Sequence, residues 1–382
     1  MEHIKNKVLV VFGTRPEAIK LAPLINLIKK NKERFDLTVC VTAQHRDMLD
    51  QVLRIFNIIP DIDLNLMKEN QNLIDITSNV LLSMNKVVND LKPDIVLVHG
   101  DTTTTFATSL ACFYNNIKVG HIEAGLRTFN LSAPYPEEFN RKVTAILSYI
   151  NFAPTNMSKM NLIREGYAES KIVVTGNTVI DALFLVLKNI EKDPIKKESI
   201  VSFLDKKLSF SWREVPYVVI TGHRRENFGQ SLIQICSAIR DLANTYQDKH
   251  FIYPVHLNPN VIKPVKNLLS NIPNISLIEP LEYEVFAYLI KYSFFIMTDS
   301  GGIQEEAPSL GKPVLLMREN TERPEGLEAG TVKLVGSSRK NIVKYASRLF
   351  EDESFYKKMS KAKNPYGDGH ASEKILSFLE SN

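Results

Sequence analysis

Three acidic residues stand where a change of backbone direction could present them to a ligand. Asp101 lies in His99-Gly100-Asp101-Thr102-Thr103-Thr104-Thr105, after the apolar run Asp94–Val98. Glu123 lies in His121-Ile122-Glu123-Ala124-Gly125-Leu126-Arg127, after the run Lys118–Ile122. Glu137 and Glu138 open a helix behind Pro134 and Pro136, two prolines that stiffen an extended entry. Carboxylates gathered at one place split their proton affinities and so suit acid/base work. Each also has a plainer reading. Asp101 or Thr102 could cap the next helix, and Glu137 and Glu138 could complement a helix dipole.

A second group of residues suits an anion. Gly13 in Phe12-Gly13-Thr14-Arg15-Pro16-Glu17 permits a tight turn, and Pro16 fits the first helical position. Arg15 then sits at a helix N-terminus, where backbone amides favour negative charge, with Lys20 one turn further along the same face. Solvated Arg and Lys on a capped helix is the alternative. Thr221-Gly222-His223-Arg224-Arg225 puts glycine, histidine and two arginines on a strand-to-helix turn, a good clamp for a diphosphate. In Thr298-Asp299-Ser300-Gly301-Gly302-Ile303-Gln304-Glu305-Glu306, the amides of Ser300, Gly301 and Gly302 can face phosphate oxygens, and Glu306 can take two ribose hydroxyls. The plainer reading of Glu305-Glu306 is a solvated helix face. Arg318, Glu322 and Arg323 follow another apolar run and could join this group. Neither GxGxxG nor a P-loop occurs in these turns, so a Rossmann dinucleotide or Walker site is not indicated.

The elements that must carry these turns are legible in hydrophobic patterning. Lys7–Phe12, Leu37–Thr42, Asp94–Val98, Lys118–Ile122, Ile150–Ala153 and Lys171–Thr175 are near-continuous apolar runs, as expected of strands buried on both faces of a parallel sheet. Helical patterns such as Pro16–Lys30 and Ile74–Leu91 separate them. The pattern restarts with Tyr217–Thr221, His250–Pro254, Ile275–Ile278, Phe294–Thr298 and Pro313–Met317. Asn189–Pro216, charged and holding Pro194 and Pro216, reads as surface helix and loop. Asn364–Gly369 breaks a helix before a last one, Ala371–Leu379, which would cross back to the first half. The fold class is therefore α/β, with two Rossmann-like domains whose parallel sheets face across a cleft. The first domain is expected over 1–177 plus 364–382 and the second over 178–363.

The 382 residues exceed what one core usually holds, and the net charge of +4 is too small to argue for nucleic acid or a membrane surface. Cys40, Cys112 and Cys236 sit apart in apolar stretches, which reads as buried free thiols. No signal peptide or membrane span is apparent, which points to the cytoplasm.

The blocks FGTRPEAIK, TAQHR, HGDTTTT, HIEAGLRT, PEEFNR, TGNTVIDAL, TGHRREN, YPVHLNPNV, TDSGGIQEEAPSLGKPVL, RENTERPE and NPYGDG run nearly end to end. In kind and order they closely resemble those of the non-hydrolysing bacterial UDP-N-acetylglucosamine 2-epimerases. That resemblance implies the two-domain glycosyltransferase-B fold, a homodimer, and no metal or other cofactor. It implies that Asp101, Glu123 and Glu137 are the acid/base candidates, with Lys20 and His223 in support. Arg15, His223, Ser300, Gly301, Gly302, Glu306 and Arg323 become UDP contacts. An activator site for a second UDP-N-acetylglucosamine would use Gln44, His45, Gln71, Arg224 and His256. The expected reaction is inversion at C2 to UDP-N-acetylmannosamine, through elimination of UDP and re-addition to the glycal, supplying amino sugar for surface polysaccharide. A hydrolysing epimerase and a glycosyltransferase on the same fold are the alternatives.

Overall fold

A computed structural model describes residues 5–42, 46–66 and 71–381. The chain forms two compact units, 1–185 with 366–382, and 186–365. In the first unit a seven-stranded sheet has the order β3-β2-β1-β4-β5-β6-β7. Its strands are β1 (Asn6–Phe12), β2 (Phe35–Val41), β3 (Ile62–Asp63), β4 (Ile95–His99), β5 (Lys118–Ile122), β6 (Ile150–Ala153) and β7 (Ile172–Val174). The second unit has a six-stranded sheet in the order β10-β9-β8-β11-β12-β13. These are β8 (Tyr217–Thr221), β9 (His250–Pro254), β10 (Ile275–Ile278), β11 (Phe295–Thr298), β12 (Val314–Leu316) and β13 (Val332–Leu334). All pairings are parallel.

The two-unit, parallel α/β class expected from the apolar runs is what forms. Val8–Phe12 and Ile95–His99 are buried throughout, so side chains on both faces of each strand are covered by helices. Two edge strands, β3 and β13, were not legible as apolar runs. At two and three residues they are too short to show a pattern. The stretch expected to be surface helix and loop is partly core. It holds helix Pro194–Lys207, and beyond it Leu208 and Trp212 are buried, with the Trp212 indole donating to Asp205 at 2.7 Å and meeting Tyr288 and Tyr292 edge-on.

In both sheets the chain winds outward from a central strand in each direction. The reversals fall between β1 and β4 and between β8 and β11. In open α/β sheets ligands bind outside the carboxyl ends of the strands at such switch points. Both anion-suited turns, after β1 and after β8, lie there.

The C-terminal helix Ala371–Ser381 belongs to the first unit. Its start is held by Asp181, whose buried carboxylate accepts the backbone N–H of Ala371 at 3.2 Å and Ser372 at 2.7 Å. Just before it, the Tyr366 carbonyl accepts from the Asn177 N–H at 2.7 Å. Among the described residues no helix is long and apolar enough to cross a membrane.

Asp181→Ala leaves two amides of the last helix without their acceptor. A loss of about 1–2 kcal/mol is expected. Urea unfolding followed by circular dichroism reads it, and an unchanged midpoint would remove Asp181 from this role.

Candidate active site

The turn after β1 leads into helix Arg15–Lys30, with Thr14 as N-cap and Pro16 one residue inside the helix rather than at its first position. Glycine is required at 13 for space, not for a left-handed turn. A Cβ there would collide with the Thr42 and Thr104 hydroxyls. Glu17 is almost wholly buried in this turn. Its Oε2 accepts from the N–H of Gly13 at 3.2 Å, the N–H of Thr14 at 2.8 Å and the Thr14 hydroxyl at 2.7 Å. Its Oε1 accepts from the hydroxyls of Thr102 at 2.7 Å, in the turn after β4, and of Thr105 at 3.2 Å, in the first turn of the next helix. Burial pushes the Glu17 carboxyl above its ordinary range, and these hydrogen bonds pull the other way. In the sequence Glu17 stands only as part of the block Phe12–Glu17. Its bonds to the β4 turn make it the tie between two site turns.

Thr102 caps helix Thr103–Tyr114, accepting from the Thr105 N–H at 3.1 Å, so the cap leaves Asp101 for other partners. Asp101 pairs with the Arg141 guanidinium. The same guanidinium reaches the Glu123 carbonyl and, at 3.3 Å, Glu123 Oε1. Glu123 Oε2 is paired with Lys20 and accepts from Asn177 Nδ2 at 3.0 Å. Burial by itself would lower the Arg141 pKa, but Asp101 and Glu123 beside it outweigh that and raise it. Glu123 is 5% exposed and has φ 64°, left-handed backbone rare outside glycine. Such strain persists where surrounding bonds over-determine it, and it concentrates at functional sites.

Three of the predicted residues thus come together: Asp101, Glu123 and Lys20. Two partners, Arg141 and Asn177, were not singled out in the sequence. The fourth, Glu137, starts helix Glu137–Leu147 one turn before Arg141, but makes no hydrogen bond to this group among the described residues. Its Oε2 is buried without a hydrogen-bond partner there. Glu138 is structural, accepting from the N–H of Thr128 and Phe129 at 3.0 Å each. The residues before Glu137 form turns rather than an extended entry, with both prolyl bonds cis. His99 and His121 flank the group, with His99 Nε2 3.9 Å from Glu123 Oε2 and His121 Nε2 donating to the Gly100 carbonyl at 2.7 Å. Burial lowers both to about 3, so both are neutral at physiological pH.

In the second unit Asp299, fully buried at the end of β11, holds the turn after β8. Its Oδ2 accepts from the N–H of His223 and Arg224 at 2.9 Å each and from Asn227 Nδ2 at 3.1 Å. His223 is exposed and stacks on His256 with ring centroids 5.6 Å apart. Ser300 is the N-cap residue of helix Gly301–Ser309, and its side chain makes no cap bond. A Cβ at Gly301 would come within 2.7 Å of Arg323 Nη1. The solvated reading of Glu305-Glu306 fails because both are buried. Glu305 pairs with Arg323, and Glu306 accepts from the Tyr283 hydroxyl at 2.7 Å. Arg323 also binds Glu322 at 2.5 Å, and Arg318 binds Glu322 at 2.8 Å and Glu226 at 2.6 Å. Arg323 is therefore already matched by two carboxylates. The Arg15 side chain makes no hydrogen bond among the described residues, and Arg224 Nε is buried without one. Of the activator candidates, Gln44 and His45 lie outside the described residues, Gln71 is in the first unit, and Arg224 and His256 are neighbours of His223 in the second.

The chain is similar to known proteins along nearly its whole length. Residues 28–380 match the family model described as UDP-N-acetylglucosamine 2-epimerase. The UDP-N-acetylglucosamine 2-epimerase of Campylobacter jejuni is 56% identical over 98% of this chain and 97% of its own length. That of Escherichia coli K12 is 52% identical over 98% and 99%. The crystal structure of UDP-GlcNAc 2-epimerase from Neisseria meningitidis bound to UDP-GlcNAc superposes with a TM-score of 0.90 at 53% identity, covering 98% of this chain and 100% of that one.

Two outcomes follow from the ion pairs. Arg141→Met strands two carboxylates, and a loss of about 3–5 kcal/mol in urea unfolding is expected. Glu322 lies deep enough that burial would raise its carboxyl, but Arg323 and Arg318 override this and hold it at about 2, below the ordinary 4.5. A depressed carboxyl stabilises the fold above its unfolded pKa and loses that contribution as pH falls through the folded value. Stability should therefore decline between pH 4.5 and about 2, and Glu322→Gln should flatten that part of the curve. Parallel curves for the two proteins would contradict the assignment.

Proposed function

The chain belongs to the UDP-N-acetylglucosamine 2-epimerase family, and on that premise we propose how its residues reversibly invert C2 of UDP-N-acetylglucosamine to give UDP-N-acetylmannosamine. The observation that carries the reading is the strained Glu123, fixed by Lys20, Asn177 and Arg141 beside Asp101.

The hydrogen on C2 is adjacent to no carbonyl, so direct deprotonation is hard. Breaking the C1–O bond builds positive charge at C1 and acidifies that hydrogen. The C–H pair becomes the C1=C2 bond of 2-acetamidoglucal, and the C1–O pair leaves on UDP. Re-addition then delivers a proton to C2 from the opposite face. Two faces call for two proton carriers. Asp101, Glu123 and Glu137 are our candidates, with Lys20 and Arg141 balancing charge. Glu137 is favoured as one carrier by its buried, unbonded oxygen.

UDP must stay bound between the two half-reactions. We assign its phosphates to His223 and the amides of Ser300, Gly301 and Gly302, and its ribose to Glu306. Charge-assisted bonds of this kind each contribute about 1.5–3 kcal/mol. Arg323 acts in this scheme by fixing Glu305 and Glu322 as well as by touching UDP. The exposed His256 and the unbonded Arg224 Nε support an activator site for a second UDP-N-acetylglucosamine. The enzyme works as a homodimer in this reading, and its three buried free cysteines favour the cytoplasm.

Incubation with UDP-N-acetylglucosamine alone in heavy water tests the scheme. The manno epimer should form without an acceptor, with deuterium at C2 and little free N-acetylmannosamine. Free sugar as the main product would mean a hydrolysing enzyme, and absence of C2 label would exclude proton abstraction. Glu123→Gln should lower kcat by about 10²–10⁴-fold while UDP still binds. Normal turnover would remove Glu123 from the mechanism.

A further inference from the structure

We infer that Asp299 is a positioning residue that aims His223 so that Nδ1 faces the buried carboxylate and Nε2 donates to the nucleotide diphosphate, with a proton taken up on binding. The inference rests on the nucleotide reading above. Asp299 is 0% exposed, and its two oxygens are used unequally. Oδ2 is saturated by three N–H donors of the turn. Oδ1 is buried with no hydrogen-bond partner among the described residues. An oxygen in that state is costly and calls for an explanation. The group facing it is His223 Nδ1, at 3.6 Å.

That distance is beyond a hydrogen bond and within reach of one if the ring becomes charged. The charges around the imidazole determine when that happens. Partial desolvation of the ring lowers the His223 pKa, Asp299 opposes it, and Arg224 and the stacked His256 add to the lowering. The ligand-free balance therefore favours the neutral ring. A neutral imidazole has one N–H and cannot donate to two acceptors. A diphosphate beside Nε2 adds negative charge on the second side. The imidazolium then satisfies both acceptors, each bond charge-assisted. When the C1–O pair moves onto the departing phosphate oxygen, the Nε2–H bond strengthens against that charge, and the proton stays on the ring.

Calorimetric titration with UDP at about pH 8, above the ordinary imidazole range, in two buffers of different ionisation enthalpy counts the protons. Wild-type protein should take up close to one proton per UDP bound. Asp299→Asn keeps an oxygen for the turn amides but turns an N–H₂ toward Nδ1, which leaves Nε2–H on a neutral ring. It should bind UDP about tenfold more weakly, the loss of roughly one charge-assisted bond, with no proton uptake. His223→Asn, which leaves the turn held by Asp299, should also bind without uptake. Unchanged uptake in Asp299→Asn, or none in the wild type, overturns the inference and leaves the nucleotide reading intact. Loss of UDP binding in Asp299→Asn alone, with His223→Asn still binding, would make Asp299 only a scaffold for the turn and likewise overturn it. A wild-type protein that does not bind UDP would refute the nucleotide reading itself.

Discussion

Asp101 and Glu123 leave the ends of adjacent parallel strands, and Arg141 is the cation that lets them remain side by side. Two like charges side by side repel, and the burial of Glu123 adds a desolvation cost. One guanidinium serves both carboxylates and the Glu123 carbonyl. Its planar fork is suited to several acceptors at once, which a lysine ammonium on a flexible stem is not. The strained φ at Glu123 follows from the same arrangement. Backbone and side chain are both tied to Arg141, while Lys20 and Asn177 hold the other oxygen, so relaxation to ordinary backbone would break several bonds together.

The two units solve a shared problem in the same way. Each sheet reverses its winding between a first strand and its neighbour, and the turns there must stay open to a ligand. A loop with free amides tends to collapse or fray, so something buried must pin it. In the first unit Glu17 binds the amides of the β1 turn and the hydroxyls of the β4 turn. In the second, Asp299 after β11 binds the amides of the β8 turn. Both are buried acids, and both accept from neutral donors across the switch point.

Charge is distributed unevenly around the second of these turns. Arg318 and Arg323 are matched by Glu226, Glu305 and Glu322, and Arg323 packs beside Gly301. In the proposed UDP site, the positive character left for an anion would come from backbone amides, Arg224 and His223. An anion site of that kind binds through preorganised dipoles more than through net charge, in keeping with a chain whose excess is only +4.

The sequence by itself determined the fold class and which turns carry the candidate residues. Strands buried on both faces must be apolar throughout, so runs such as Val8–Phe12 and Ile95–Val98 announce a parallel sheet without any knowledge of neighbours. Turns at the carboxyl ends of those strands are then where Asp101, Glu123 and His223 have to appear. The family blocks added the substrate. Only the tertiary structure decided which residues share bonds, because the partners are remote: Asn177 is 54 residues from Glu123, and Asp299 is 76 from His223. Such pairs leave no local pattern, since either residue alone looks like a cap or a surface polar group. The same holds for Glu305 and Glu306, for which a solvated helix face is one of two open readings and which packing buries beneath Arg323 and Tyr283. Local sequence fixes the direction and periodicity of a strand, while burial and long-range pairing depend on which elements the folded chain brings against it.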